Sequence, residues 1–173
     1  LKMLKSPAHL RETLDHPPPP TPAMALGSAV HTYVLEPDRF SEEFVVADKF
    51  DRRTKEGKEA AARFEEATQG KTLITPEDLA TLSRMRAAVL AHQGAARLLE
   101  QGEAELSAFW SDPATGIACR CRPDWFNETA IVDLKSCLDA SSRGFSRAIA
   151  NLGYDVQAAF YVDGIKRVTG REL

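Results

Sequence analysis

The chain has no apolar run long enough to cross a bilayer, which excludes a helical membrane span. It opens on LKMLKSPAHL, which lacks the apolar stretch and cleavage site of a secretory signal, so a cytoplasmic location is expected. Cysteine is scarce: Cys119, Cys121 and Cys137 are the three. Three is an odd number, and the first two stand two apart on one expected strand. Buried free thiols are therefore expected rather than a disulfide framework. A zinc or iron–sulfur site usually wants four ligands, which one C-x-C pair does not supply. Basic charge is not in excess either. The net charge of −3 means that any nucleic-acid contact must be local. No internal repeat is visible.

What is present suits one globular domain. The 173 residues are 43% hydrophobic and 27% charged, enough for a substantial core. Residues 1–22 read as a short helix, Ser6 to Leu14, and a Pro-rich connector. Ser6 suits the N-cap and Pro7 the first helical position, whereas HPPPPTP forbids helix or central strand. Residues 23–102 read as mostly helical. Met24 to Leu35 has the spacing of a buried helix stopped by Pro37, and Phe40 to Asp48 carries a short β-like run. DRRTKEGKEAAARFEEATQ is a charged helix. A further helix starts at Thr75, with Pro76 first and Asp78 third, and runs on through AHQGAARLLEQ. Residues 103–173 change character. Strands are expected near 103–111, 116–124 and 129–136, separated by the turns DPATG and FNET. Two helices follow, one ending near Gly153.

Side chains two apart on a strand share a face. Ile131, Asp133 and Lys135 then point one way, and apolar Val132 and Leu134 the other. On the strand before, Arg120, Arg122 and Asp124 share a face. A hairpin closed at FNET brings Asp124 close to Asp133. Two such carboxylates repel unless one is protonated or a cation sits between them, and Mg²⁺ suits oxygen ligands. Lys135 beside them can orient a water or stabilise developing negative charge. A solvated surface of salt bridges explains the same residues. Gln157 and Tyr161 stand four apart, on one helix face. His31 lies in an apolar helix, one turn after Gly27, which permits the close approach of another element.

In order along the chain, GSAVHTYVLEP, CRCRPDWF, IVDLKS and YDVQAAFY resemble the PD-(D/E)XK nuclease superfamily. Within it they resemble the exonuclease VIII (RecE-like) group, related to RecB-type nuclease domains. LKSPAHL followed by TPAMALGSAVHTYVLEPDRF resembles that group too, so the likeness spans Leu4 to Val168. The resemblance implies an α/β (α+β) fold with a restriction-endonuclease-like core, a central mixed β-sheet flanked by helices. It implies that residues 1–173 form a single nuclease domain. Members usually continue into further strands after the Q-x3-Y helix, so truncation at the C-terminus is an expectation as well.

The resemblance also implies roles. His31, Asp124 and Asp133 would bind Mg²⁺, with Mn²⁺ as substitute, aided by the Leu134 carbonyl. Lys135 would be the catalytic lysine. Gln157 and Tyr161 would support the site and contact DNA, and Glu105 would approach the metal or the water. Arg120, Arg122, Arg143 and Arg147 are candidate phosphate contacts. The implied activity is 5′-to-3′ exonuclease digestion of linear double-stranded DNA in recombination or phage-type DNA processing. The implied partners are duplex ends, a single-strand annealing protein and further copies of the chain in a ring. Two other readings stay open. One is a non-catalytic DNA-binding or structural module with its acids paired by Arg120, Arg122 and Lys135. The other is a RecB- or Cas4-like nuclease of different polarity.

Overall fold

The computed structural model describes residues 5–19 and 21–172. Proline and capping side chains start most of the helices. Helix α1 (Pro7–Asp15) begins at Ser6, whose hydroxyl accepts from the His9 amide, and buries none of its residues. Helix α2 (Pro22–Leu35) begins at Thr21, whose side chain accepts from the Met24 amide. Pro37 then starts a short third helix, α3 (Pro37–Glu43). The β-like run expected from Phe40 therefore narrows to strand β1 (Phe44–Val46). Proline at a first helical position is preorganised for helix, and this outweighs the β-propensity of the residues behind it. Helix α4 (Lys55–Ala67) follows, and strand β2 (Thr72–Ile74) pairs in parallel with β1.

Helix α5 (Pro76–Ala91) carries a full capping box between Thr75 and Asp78. The single long helix expected here breaks at His92, where ψ is 108° and the imidazole accepts from the Ala95 amide. A second helix, α6 (Gln93–Leu99), starts from that cap. Most of the core lies between α2 and the elements it touches. Ala29, Val30, Val34 and Leu35 pack with Phe44, Ile74 and Leu82, and Trp125 and Leu134 close the same cluster from the β-rich half.

That half contains five short strands: β3 (Glu103–Ala104), β4 (Ala108–Ser111), β5 (Ala118–Cys121), β6 (Trp125–Phe126) and β7 (Ile131–Val132). They replace the three longer strands expected. β3 pairs with β6, Glu103 opposite Phe126, and β4 pairs with β5, Ala108 opposite Cys121. The two ladders share one register, so they are two ends of a single antiparallel hairpin turned at DPATG. The pairing lapses only at 105–107 and 122–124. β7 extends the sheet beyond β6, with Trp125 opposite Val132. The expected central sheet is thus divided, among the described residues, into three small sheets within a mixed α+β fold.

Two helices follow, α7 (Ser142–Leu152) and α8 (Tyr154–Thr169), and α8 packs on the hairpin. They meet at Gly153, whose left-handed φ of 69° and ψ of 37° end one helix and begin the next. Ala108, Cys121 and Ile165 form a second core cluster, with Trp110 and Tyr161 against it. Of the free thiols, Cys121 is buried, Cys119 half-buried and Cys137 exposed, so the expectation of burial fails for Cys137. Cys137 follows the last strand, where no helix covers the chain. No helix among the described residues is long and apolar enough to cross a membrane.

Gly164 lets α8 sit on the hairpin, because a Cβ there would overlap the Trp110 ring. That ring is held in turn by Phe160, 5.1 Å between centroids. Alanine at 164 gains about 1 kcal/mol of helix propensity and loses roughly 1–3 kcal/mol to overpacking. Gly164→Ala is expected to lower the urea midpoint, and Trp110→Leu in the same chain to restore part of the loss.

Candidate metal centre

The hairpin's lapse in pairing coincides with its polar residues. The shared register sets Glu105 opposite Asp124, and the Glu105 N–H donates to the Asp124 carbonyl at 3.0 Å. Opposed residues of an antiparallel pair present their side chains on one face, so the two carboxylates meet. Glu105 also adopts a left-handed φ of 55°, the only non-glycine residue to do so among those described. Such a conformation costs of order 1 kcal/mol and persists where its surroundings impose it. His31 arrives from α2, its Nδ1 3.4 Å from Asp124 Oδ2. One ligand atom each from His31, Glu105 and Asp124 lies within 4.8 Å of the others.

Asp124 is the hinge of this group, with only 13% of its side chain exposed. Its Oδ2 also accepts from the Leu134 N–H at 2.6 Å, which fixes the chain leaving β7. Leu134 is therefore anchored to the site through its amide. Asp133 stands outside the three-ligand cluster among the described residues, contrary to the expected convergence of both aspartates. The backbone register does extend to place it opposite Asp124. Its carboxylate is drawn to other partners: Lys135 Nζ contacts Oδ2, and Gln157 Nε2 donates to Oδ1 at 3.2 Å. Gln157 Nε2 also donates to the Tyr161 hydroxyl at 3.1 Å, so the helix pair expected on α8 is joined to Asp133. Lys135 lies over the Tyr154 ring, 4.9 Å from its centroid, a contact that no sequence signal indicated.

Arg122 is a diagonal neighbour of Glu105, and the two form an ion pair, Nε to Oε2 at 2.7 Å. Arg120, exposed, lines the same open cleft of about 770 Å³. Arg143 and Arg147 are exposed on α7 and do not line it. The far wall holds a group that sequence reasoning passed over. Arg39 is clasped by Glu36 and Glu43, each at 2.6 Å, and Glu43 accepts from Thr32. The i, i+3 and i, i+4 spacings around Arg39 were the available signal. Gly27 also lines the cleft, but a Cβ there would make ordinary contact with Ser136 Oγ at 3.7 Å, so glycine is not demanded.

The electrostatics favour a cation. Contact with Asp124 raises the His31 pKa above 6.5, against the opposing effect of burial. Burial pushes the Glu105 carboxyl up, Arg122 pulls it down, and Asp124 pushes it up again. Without a cation, the His31 term favours the fold below the unfolded pKa and is lost as pH rises through the folded value. An imidazole nitrogen with two carboxylates, mutually within 4.8 Å, is a donor set that fits a divalent metal. Metal and proton then compete for the same atoms. Added Mn²⁺ is expected to raise the melting temperature at about pH 8 and much less at about pH 5.5, below the raised His31 value. His31→Gln should remove most of that pH dependence in a thermal-shift series.

Residues 1–173, the whole chain, match the family described as a PDDEXK-like domain of unknown function (DUF3799). No curated protein matches the chain.

Proposed function

Because the chain belongs to this PDDEXK-like family and so to the PD-(D/E)XK nuclease superfamily, with its nuclease-type function, we propose that it is a Mg²⁺-dependent exodeoxyribonuclease of the exonuclease VIII (RecE-like) kind. The observation that carries this reading is the meeting of His31, Glu105 and Asp124 beside the Asp133–Lys135 pair. Its substrate is the phosphodiester backbone of linear double-stranded DNA, entered from an end and digested 5′-to-3′. The setting is recombination or phage-type DNA processing, with a ring of copies and a single-strand annealing protein as partners. Substrate, polarity and partners rest on the resemblance of the four sequence motifs.

His31, Glu105 and Asp124 would hold the metal, with Asp133 at its side. A divalent cation bound there neutralises charge on the scissile phosphate and acidifies water. Lys135, held by Asp133 and stacked on Tyr154, stands where it can orient the attacking water or meet the negative charge that builds on the phosphoryl oxygens. Asp133 sets the direction of that ammonium. Gln157 fixes the other Asp133 oxygen, and Tyr161 fixes Gln157. These two act as positioning residues, and their exposed edges are available to DNA. Arg120 and Arg122 supply phosphate contacts within the cleft, and Arg143 and Arg147 beyond it. Phosphate contacts made by a few local arginines suit a chain whose net charge is −3.

Losing one preorganised electrostatic group costs about 10²–10³-fold in rate. Lys135→Ala and Asp133→Ala should each lose at least that factor in Mg²⁺-dependent degradation of linear duplex, with melting temperatures close to wild type. Closed circular duplex should resist the wild-type protein. Undiminished digestion by Asp133→Ala would rule the mechanism out, and rapid cutting of closed circles would rule out the exonuclease assignment.

A further inference from the structure

The contact between Arg122 and Glu105 has two features that a plain surface ion pair lacks. Glu105 is one of the three residues of the candidate metal cluster, and its backbone is held by its left-handed conformation and its bond to the Asp124 carbonyl. Arg122 is tied at Nε only, with 59% of its side chain exposed, and lines the open cleft. Its terminal amino groups have no hydrogen-bond partner among the described residues. Arginine recognises phosphate in a bidentate manner through that guanidinium edge.

The oxygen that Arg122 holds is Oε2 of Glu105. A cation held by the cluster draws on the same carboxylate and repels the guanidinium 2.7 Å from it. The guanidinium and a divalent cation are therefore competing partners of one carboxylate. Resting on the nuclease reading above, we infer that Arg122 is an exchange residue that couples the metal to DNA. It is paired with Glu105 when the metal is away and released to a backbone phosphate when the metal is bound. Its phosphate contact then depends on the metal, and by linkage DNA draws the arginine off Glu105 and tightens the metal. An end-on duplex would be gripped only by a site ready to cut it.

The exchange predicts an effect opposite to that of a residue that supports Glu105. Mn²⁺ affinity is measured by calorimetry on DNA-free protein, wild type and Arg122→Gln, with melting curves to check folding. Removing the competing cation should tighten Mn²⁺ by about 5-fold or more, the low end of ordinary coupling. Binding of a fluorescent duplex is then followed by anisotropy with Ca²⁺ and with a chelator. The gain that Ca²⁺ brings to wild type should fall by a similar factor in the variant. Arg122→Lys, which keeps a cation but loses the planar fork, should leave Mn²⁺ affinity near wild type. Mn²⁺ affinity unchanged or weakened in Arg122→Gln overturns the exchange and leaves the nuclease site standing. Failure of the wild-type protein to bind Mn²⁺ overturns both.

Discussion

The carboxylate of Asp124 ties the site together. One oxygen, Oδ2, faces the imidazole of α2 and accepts the amide of Leu134. The carbonyl of the same residue accepts the amide of Glu105. Three segments far apart in sequence are thus joined at one amino acid, and each brings a functional group with it. A backbone amide donated to a carboxylate is a strong, directional bond in a partly dry setting. It holds the strand leaving β7 so that Asp133 and Lys135 arrive beside the His31–Glu105–Asp124 cluster. Leu134 packing on the α2 core supports the same approach of α2 to the D-x-K segment.

Around that joint, the chain distributes cations to match its acids. Lys135 meets Asp133, Arg122 meets Glu105, and Arg39 meets Glu36 and Glu43. The pairs with an exposed member, at Arg122 and Arg39, add little to stability. The value of all three is placement: each cation holds an acid in a set direction. The site is assembled as a set of charges whose balance a divalent ion or a phosphate changes.

Much of this was legible from residues alone, for a physical reason in each case. Caps at Ser6 and Thr75 and prolines behind them announce helix starts because they act through neighbours in sequence. The face shared by Arg122 and Asp124 follows from strand periodicity. The pairing of Glu105 with Asp124 was also within reach, since the DPATG turn implies it once the hairpin's register is counted. What stayed hidden depends on distant contacts. His92 breaks a helix that local propensity would continue, and Pro37 converts a β-like run into α3. The expected meeting of Asp133 with the metal ligands assumed that opposed aspartates share one partner. In the fold, Lys135 and Gln157 claim Asp133 first, and only α8 packing on the hairpin shows it.

The left-handed backbone at Glu105 sets position 105 apart from every other site residue. Gly, Asn or Asp would relax the backbone there, and none of them carries a carboxylate on so long an arm. The conformation and the side chain therefore pull in opposite directions. Random substitution at 105 should include changes that make the fold firmer and empty the site of its third ligand. A selection for stability alone would drift toward them, and a selection for the proposed nuclease activity would hold the strained glutamate against that drift.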